Sequence, residues 1–443
     1  MSACNNSIYE MRIPGKRKET AWPESLSHIY VSSNNGERMM LPVLPNTNML
    51  VNGVPGTGKT FFTKAYAAEY LAANKDTHAV FFEIKKDDYT STFYQVEDKI
   101  IAYDPRFEGG TLFKWNMIRE IRQAKNMDTE IEEISASFFQ DLIHSAQNNL
   151  VWANAAKETF AAVLKTVVYC YKDCPSNKLL INRIKNMSHS ELLAFVAKYP
   201  PNRTMLKNNY EYDPYKTDGY VLPRKGTDTM FFLQYVIGKF SGSFLEDGED
   251  TVHNFLHGMY GRHLFVVHDF AMAESMQMFE RYFLRKIITE KLSSSSDLYG
   301  KPMLLVLDEV DKVGYDFGLF NAVTVGRQFG ISAILSTQSI ESLYNIAPNK
   351  NGDHIANSSL AGFSVIAAFR PGDSVTINTL QTLFGDTDRV KTSFGLSRSE
   401  KAETKIVTEP IVTTRMLQSL GLGECYVKVK EADPVRCRIL MES

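Results

Sequence analysis

The chain has 443 residues, 44% of them apolar and 23% charged, with a formal net charge of −2. That length suits one large domain with an insertion or two to three modest domains, and the near-neutral total excludes a small, globally basic nucleic-acid binder. It does not exclude a ring that confines positive charge to a central pore, and no apolar run reaches the ~18 residues of a membrane helix or forms a signal-peptide core, so a cytoplasmic protein is expected.

Residues 1–45 read as a loose arm and an edge hairpin. Pro14, Pro23 and the turn cluster Ser32-Ser33-Asn34-Asn35-Gly36 precede Met39 to Leu44. The Lys16-Arg17-Lys18 run is either a contact for phosphate or a partner, or a solvated terminus.

The first decisive stretch follows. An apolar strand, Met49 to Val51, runs into Gly53-Val54-Pro55-Gly56-Thr57-Gly58-Lys59-Thr60-Phe61 and then into an alanine-rich helix ending near Ala73. This strand, glycine-rich loop and helix form a P-loop. Its backbone N–H groups can turn inward around phosphate oxygens, Lys59 can reach the β- and γ-phosphates, and Thr60 can offer its hydroxyl to Mg²⁺. ATP and Mg²⁺ are the expected ligands.

Ala79 to Ile84 reads as a buried parallel strand, and the charged cluster Lys85 to Tyr89 at its end is either a ligand edge or a solvated loop. Lys99 to Pro105 reads as another short strand. From residue 117 to 262 the spacing becomes helical, with Ile131–Ser145, Asn154–Tyr171 and His189–Lys198 as the clearest segments, and an inserted all-α domain is expected there. His253 and His257 share a helical spacing, but no metalloprotease glutamate follows the first, so a structural pair is favoured over a metal site. The α/β texture returns at His263 to His268, followed by a long amphipathic helix from about Met272 to Leu292 and a Ser293 to Ser296 linker.

Met303 to Leu307 is an apolar strand ending in Asp308 and Glu309, the form of a Walker B element. Asp308 would hold Mg²⁺ and Glu309 would polarise the attacking water. Ile331 to Ser339 is a further strand, whose Gln338 could sense the γ-phosphate or orient water. Arg327, just before it, is either an arginine finger reaching a neighbouring subunit or a surface arginine at a helix end. Residues 385–404 read as a polar, mobile loop whose Arg389, Lys391, Arg398 and Lys401 either line a pore or face solvent. The five cysteines, Cys4, Cys170, Cys174, Cys425 and Cys437, suggest reduced thiols.

The P-loop, Asp308 to Gly314, Gly326-Arg327 with Gly330-Ile331, and Thr337 to Tyr344 together resemble the FtsK and HerA superfamily of ring motors. The likeness is strongest to the coupling-protein ATPases of conjugative type IV secretion, and continues through Asn357-Ser358-Ser359, Val365 to Phe369 and Glu409 to Gly421. The resemblance implies an α/β fold: a RecA-like P-loop NTPase domain with a mainly parallel central sheet, over 46–116 and 263–443, interrupted by the all-α domain. It implies a homo-hexamer that hydrolyses ATP at subunit interfaces and passes single- or double-stranded DNA through its pore. A relaxase and a membrane-bound secretion component are the implied partners. Such proteins usually carry amino-terminal membrane helices, which this sequence lacks, so a variant recruited to the inner face of the membrane is expected. Two alternatives stay open: a nucleotide-gated adaptor for a protein substrate, and a HerA-like motor in DNA processing or phage defence.

Overall fold

Met49, Leu50 and Val51 offer no polar face to water, and the strand they form is buried on both sides, as strands in the parallel part of a sheet are. The computed structural model describes residues 27–33, 36–85, 88–145, 149–212, 220–221, 224–259, 261–293, 298, 301–314, 317–345, 352–393 and 403–439. The Lys16-Arg17-Lys18 run, Cys4, most of the Ser293 to Ser296 linker, and Arg398 and Lys401 lie outside the described residues.

In chain order the strands are β1 (His28–Ser33), β2 (Arg38–Pro42), β3 (Asn48–Asn52), β4 (His78–Glu83) and β5 (Lys99–Ile101). Within the helical stretch come the short β6 (Glu211–Tyr212) and β7 (Tyr220–Val221), then β8 (His263–Val267) and β9 (Met303–Leu307). The remainder are β10 (Ile331–Thr337), β11 (Phe363–Ala368), β12 (Asp386–Ser393), β13 (Glu403–Pro410), β14 (Glu424–Val429) and β15 (Val435–Ile439). The chain divides into two units, Met1–Val80 with Tyr299–Ser443, and Phe81–Leu298.

In the first unit the strand order is β2-β1-β15-β14-β11-β3-β10-β9. β11, β3, β10 and β9 run parallel, and β14, β15, β1 and β2 continue the sheet antiparallel. The parallel registers place Thr337 level with Asn52 and Leu335 level with Leu307, so β3, β10 and β9 finish nearly flush. Loops leaving such strand ends are where open α/β sheets hold ligands.

β12 and β13 pair with each other rather than with that sheet, from Asp386↔Pro410 to Ser393↔Glu403. This corrects the reading of residues 385–404 as a loop: in its described part it is an antiparallel ribbon. Its polar composition hid the β-branched residues on both arms, Thr387, Val390 and Thr392 against Thr404, Ile406 and Thr408, which favour pleated backbone. Arg389 and Lys391 are on β12.

In the second unit β8 lies between β4 and β5 and pairs with β5 in parallel. Two of its helices begin four residues before their apolar spacing indicated, at Met127 and Leu150, whereas the helix expected over His189–Lys198 ends two residues early, at Val196. Met127–Ser145 carries Asp128 and Glu130 in its first turn, where the helix dipole favours negative charge. Ser188 and Glu191 form a reciprocal capping box that starts His189–Val196. Leu150–Cys170 and Ala273–Leu292 complete the long helices. Trp115, 1% exposed, packs against Phe138, Phe279, Tyr282 and Phe283 at this unit's centre. Among the described residues of 117–262 the β6–β7 ladder is the only pairing of two strands, and Asp250 adds an isolated bridge to Trp115, so the stretch is mainly helical rather than all-α.

Candidate active site

β3 delivers the P-loop to the flush strand ends, and the loop is fastened on both sides. Gly53 N donates to Thr337 O (3.3 Å) at the end of β10, and Val54 N to Arg370 O (2.9 Å) beyond β11. A Cβ on Gly53 would meet Phe369 Cβ at 2.6 Å, so only glycine fits there. Thr57 Oγ1 closes the loop internally on Val54 O at 2.7 Å, while Pro55 and Gly56 are exposed.

Gly58, at φ +107, ends the loop and caps the Lys59–Ala73 helix in the left-handed conformation. No side chain caps that helix and its first turn holds no acid. Its leading N–H groups and the positive end of its dipole therefore suit an anion. Lys59, 6% exposed, donates from Nζ to Gly53 O at 2.7 Å and Val54 O at 3.3 Å.

β9 supplies the acids. Thr60 Oγ1 donates to Asp308 Oδ2 at 3.5 Å, joining pieces of chain 248 residues apart. Glu309 is 6% exposed, and Lys59 Nζ lies 3.9 Å from its Oε1. Gln338, at the end of β10, donates from Nε2 to the same oxygen at 2.8 Å. Burial pushes the Glu309 carboxyl above the ordinary carboxylate range; the Gln338 hydrogen bond and Lys59 oppose the shift, and Asp308 and Asp311 reinforce it. Glu309 also holds a left-handed backbone, φ 49 and ψ 52, which costs a non-glycine residue about 1 kcal/mol and persists where neighbours over-determine it.

Lys59, Thr60, Asp308, Glu309 and Gln338 are thus brought together, with Gly53 to Gly58 around them and Phe61 39% exposed on the first helical turn. Arg327 is not. It is exposed in the turn Gly326–Phe329 that precedes β10, at the opposite end of that strand from Gln338, about 23 Å away at 3.3 Å per residue.

Two further residues carry no motif. Asn52, 0% exposed, donates to Thr337 O at 3.3 Å and ties the end of β3 to β10. Phe369, also 0% exposed, packs edge-on to Phe62 behind the loop. An asparagine closing an apolar strand was the only signal for the first, and the second was marked only as the end of the Val365 to Phe369 stretch of the family likeness.

Elsewhere the charged cluster after β4 is tied to that strand at its last residue, Tyr89. Glu83 accepts hydrogen bonds from Tyr89 N, Thr90 N and Thr90 Oγ1, holding the short Thr90–Phe93 helix. His253 and His257 stack with centroids 4.0 Å apart, and no group of three or more candidate metal ligands occurs among the described residues. Cys425 and Cys437 face each other across β14 and β15, Sγ to Sγ 3.6 Å, as free thiols.

The donor set fits a Mg²⁺-bound nucleoside triphosphate: uncapped helix N–H groups and an ammonium for phosphate, and a hydroxyl beside a buried carboxylate for a hard cation. An α/β sheet with this loop at its strand ends defines a P-loop nucleotide-binding protein. Residues 40–442 match the family described as type IV secretion-system coupling protein DNA-binding domain, and the chain belongs to that family.

The fold is shared with the bacterial conjugative coupling protein TrwBdeltaN70 in its unbound monoclinic form (TM-score 0.68, 16% identity, 94% of this chain and 89% of that one). The plasmid coupling protein TrwB in complex with ADP and Mg²⁺ gives a TM-score of 0.67 at 16% identity, covering 93% of this chain and 89% of that chain. VirB4 of Thermoanaerobacter pseudethanolicus gives 0.56 at 13% identity, covering 95% and 97%. At these identities the likeness shows the fold alone, a RecA-like α/β arrangement with a mainly helical part. The reading as a DNA-transporting coupling protein of secretion or conjugation rests on the family. Among the described residues no helix is long and apolar enough to cross a membrane.

Proposed function

We propose that this chain hydrolyses ATP with Mg²⁺ and spends the energy on moving DNA toward a type IV secretion channel, as a homo-hexameric ring. The observation that carries the reading is the joining of Thr60 to Asp308 and of Gln338 to Glu309 at the mouth of one P-loop. The family's DNA-binding description supports the substrate, and the ADP and Mg²⁺ held by TrwB support the ligands.

The backbone N–H groups of Gly53 to Phe61 would cradle the phosphates, with Lys59 exchanging its loop carbonyls for phosphate oxygens. Thr60 and Asp308 would hold Mg²⁺, which when bound neutralises charge on the β- and γ-phosphates. Glu309 would orient the attacking water and accept its proton, with Gln338 holding the carboxylate in line. Arg327 is too far from its own site to act there, so its proposed role is at the site of the next subunit. The RecA-like domain would comprise 46–116 and 263–443, with 117–262 inserted and 1–45 as arm and hairpin. A relaxase and a membrane-bound secretion component are the proposed partners, the latter recruiting the ring to the inner face of the membrane.

The test is displacement of streptavidin from the ends of biotinylated single- and double-stranded DNA. ATP-dependent displacement, absent in Lys59→Ala, is expected. ATP turnover without displacement on either strand form would favour an adaptor over a motor.

A further inference from the structure

We propose that the nucleoside of the bound nucleotide rests on Leu422, in a turn belonging to the antiparallel extension of the sheet; this builds on the P-loop reading above. The sheet order gives the site a direction. β10 and β9, bearing Gln338, Asp308 and Glu309, lie on one side of β3 and mark the γ-phosphate end. A triphosphate threaded through the P-loop must therefore release its ribose and base on the other side, toward β11, β14 and β15.

Strand direction decides what waits there. β14 is antiparallel to β11, with Tyr426 level with Ala368, so the residues just before β14 lie at the same edge as the P-loop. β15 is antiparallel to β14, with Arg438 level with Glu424, so its last residue, Ile439, returns to that edge. The turn Gly421 to Gly423 is thus carried to the P-loop by both strands.

It is also fastened to the loop. Gly423 N donates to Thr57 O at 3.0 Å, and Gly423 O accepts from Ile439 N at 2.9 Å. Gly423, buried and at φ +73, is in a conformation that suits glycine. A Cβ on Gly58 would lie 3.4 Å from Ile439 Cδ1 and 3.5 Å from Gly423 Cα. Glu424 steadies the other side of the turn, accepting from Gly421 N at 2.8 Å and pairing with Arg436 and Arg438.

Leu422 projects from this rigid turn 65% exposed. An exposed leucine alone is ordinary. This one directly precedes Gly423, which is held against loop residues 57 and 58, on the side of β3 away from the catalytic acids, where an aromatic base needs apolar contact. Leucine offers no hydrogen-bonding group, so its contribution is blind to the identity of the base.

Calorimetric titrations with Mg²⁺ and either ATP, GTP or inorganic tripolyphosphate separate the base from the phosphates. Leu422→Ala is expected to weaken ATP and GTP alike by about fivefold, as loss of about 1 kcal/mol of apolar contact implies, and to leave tripolyphosphate unchanged. Leu422→Met is expected to bind all three as the parent does. Unchanged ATP affinity in Leu422→Ala, or parallel weakening of ATP and tripolyphosphate, overturns the assignment. Lys59→Ala is the separate control: if it binds every ligand normally, the P-loop reading fails rather than the Leu422 seat.

Discussion

Glu309→Gln retains ATP binding within about twofold of the parent and lowers turnover by at least about a hundredfold, the lower bound of what a positioned general base contributes. Glutamine has the size of glutamate, and the left-handed backbone at position 309 places its side chain where the carboxylate was. Its amide oxygen can still accept from Gln338 Nε2, so the cluster keeps its shape. What is lost is the capacity to take a proton and the negative charge near Lys59 Nζ, the latter leaving phosphate binding equal or tighter. Equilibrium binding together with single-turnover hydrolysis reads the two effects apart. Hydrolysis at the parental rate would remove Glu309 from this role and leave the left-handed residue without a catalytic reason.

Mixing two dead proteins restores activity. Arg327→Ala keeps an intact P-loop but supplies no arginine to its neighbour, whereas Lys59→Ala supplies the arginine but cannot engage phosphate. In a ring, each site is built from two different faces of adjacent subunits, so random mixing at equal amounts leaves about a quarter of the interfaces with both parts intact. The ATPase rate of the mixture is therefore expected to exceed that of either protein alone and to peak near equal proportions. The length of β10 motivates the experiment: Arg327 and Gln338 are at its two ends, so the arginine cannot serve the site on its own chain. Absence of rescue at every ratio would return Arg327 to an ordinary surface position.

The parts of the site that were legible in the sequence are those that parallel strands write plainly. β3, β9 and β10 are buried along their whole lengths; β9 reads as an unbroken apolar run, β3 as an apolar centre between two asparagines and β10 as an apolar strand interrupted by Ser332, each followed by a polar end. Gly53 to Thr60, Asp308-Glu309 and Gln338 were found that way. Less legible was anything set by strands meeting across long sequence separations. Nothing local to Gly423 signals that β14 and β15 carry it to Thr57, because that placement depends on antiparallel registers with β11. The packing of Phe369 behind the loop is hidden for the same reason, although the stretch Val365 to Phe369 belongs to the family likeness. The left-handed Glu309 escaped because ordinary residues rarely adopt that conformation, and only the surrounding contacts impose it. The ribbon of β12 and β13 was concealed by charge, which outweighed its β-branched residues as a signal.

The most direct test of the central claim is steady-state ATP hydrolysis by the purified chain, measured across protein concentration with and without single- and double-stranded DNA, and with Lys59→Ala as the control. An assembling DNA motor gives turnover that DNA stimulates and that rises more steeply than linearly with protein, and Lys59→Ala gives none. Turnover that is linear in protein and indifferent to both forms of DNA would contradict it.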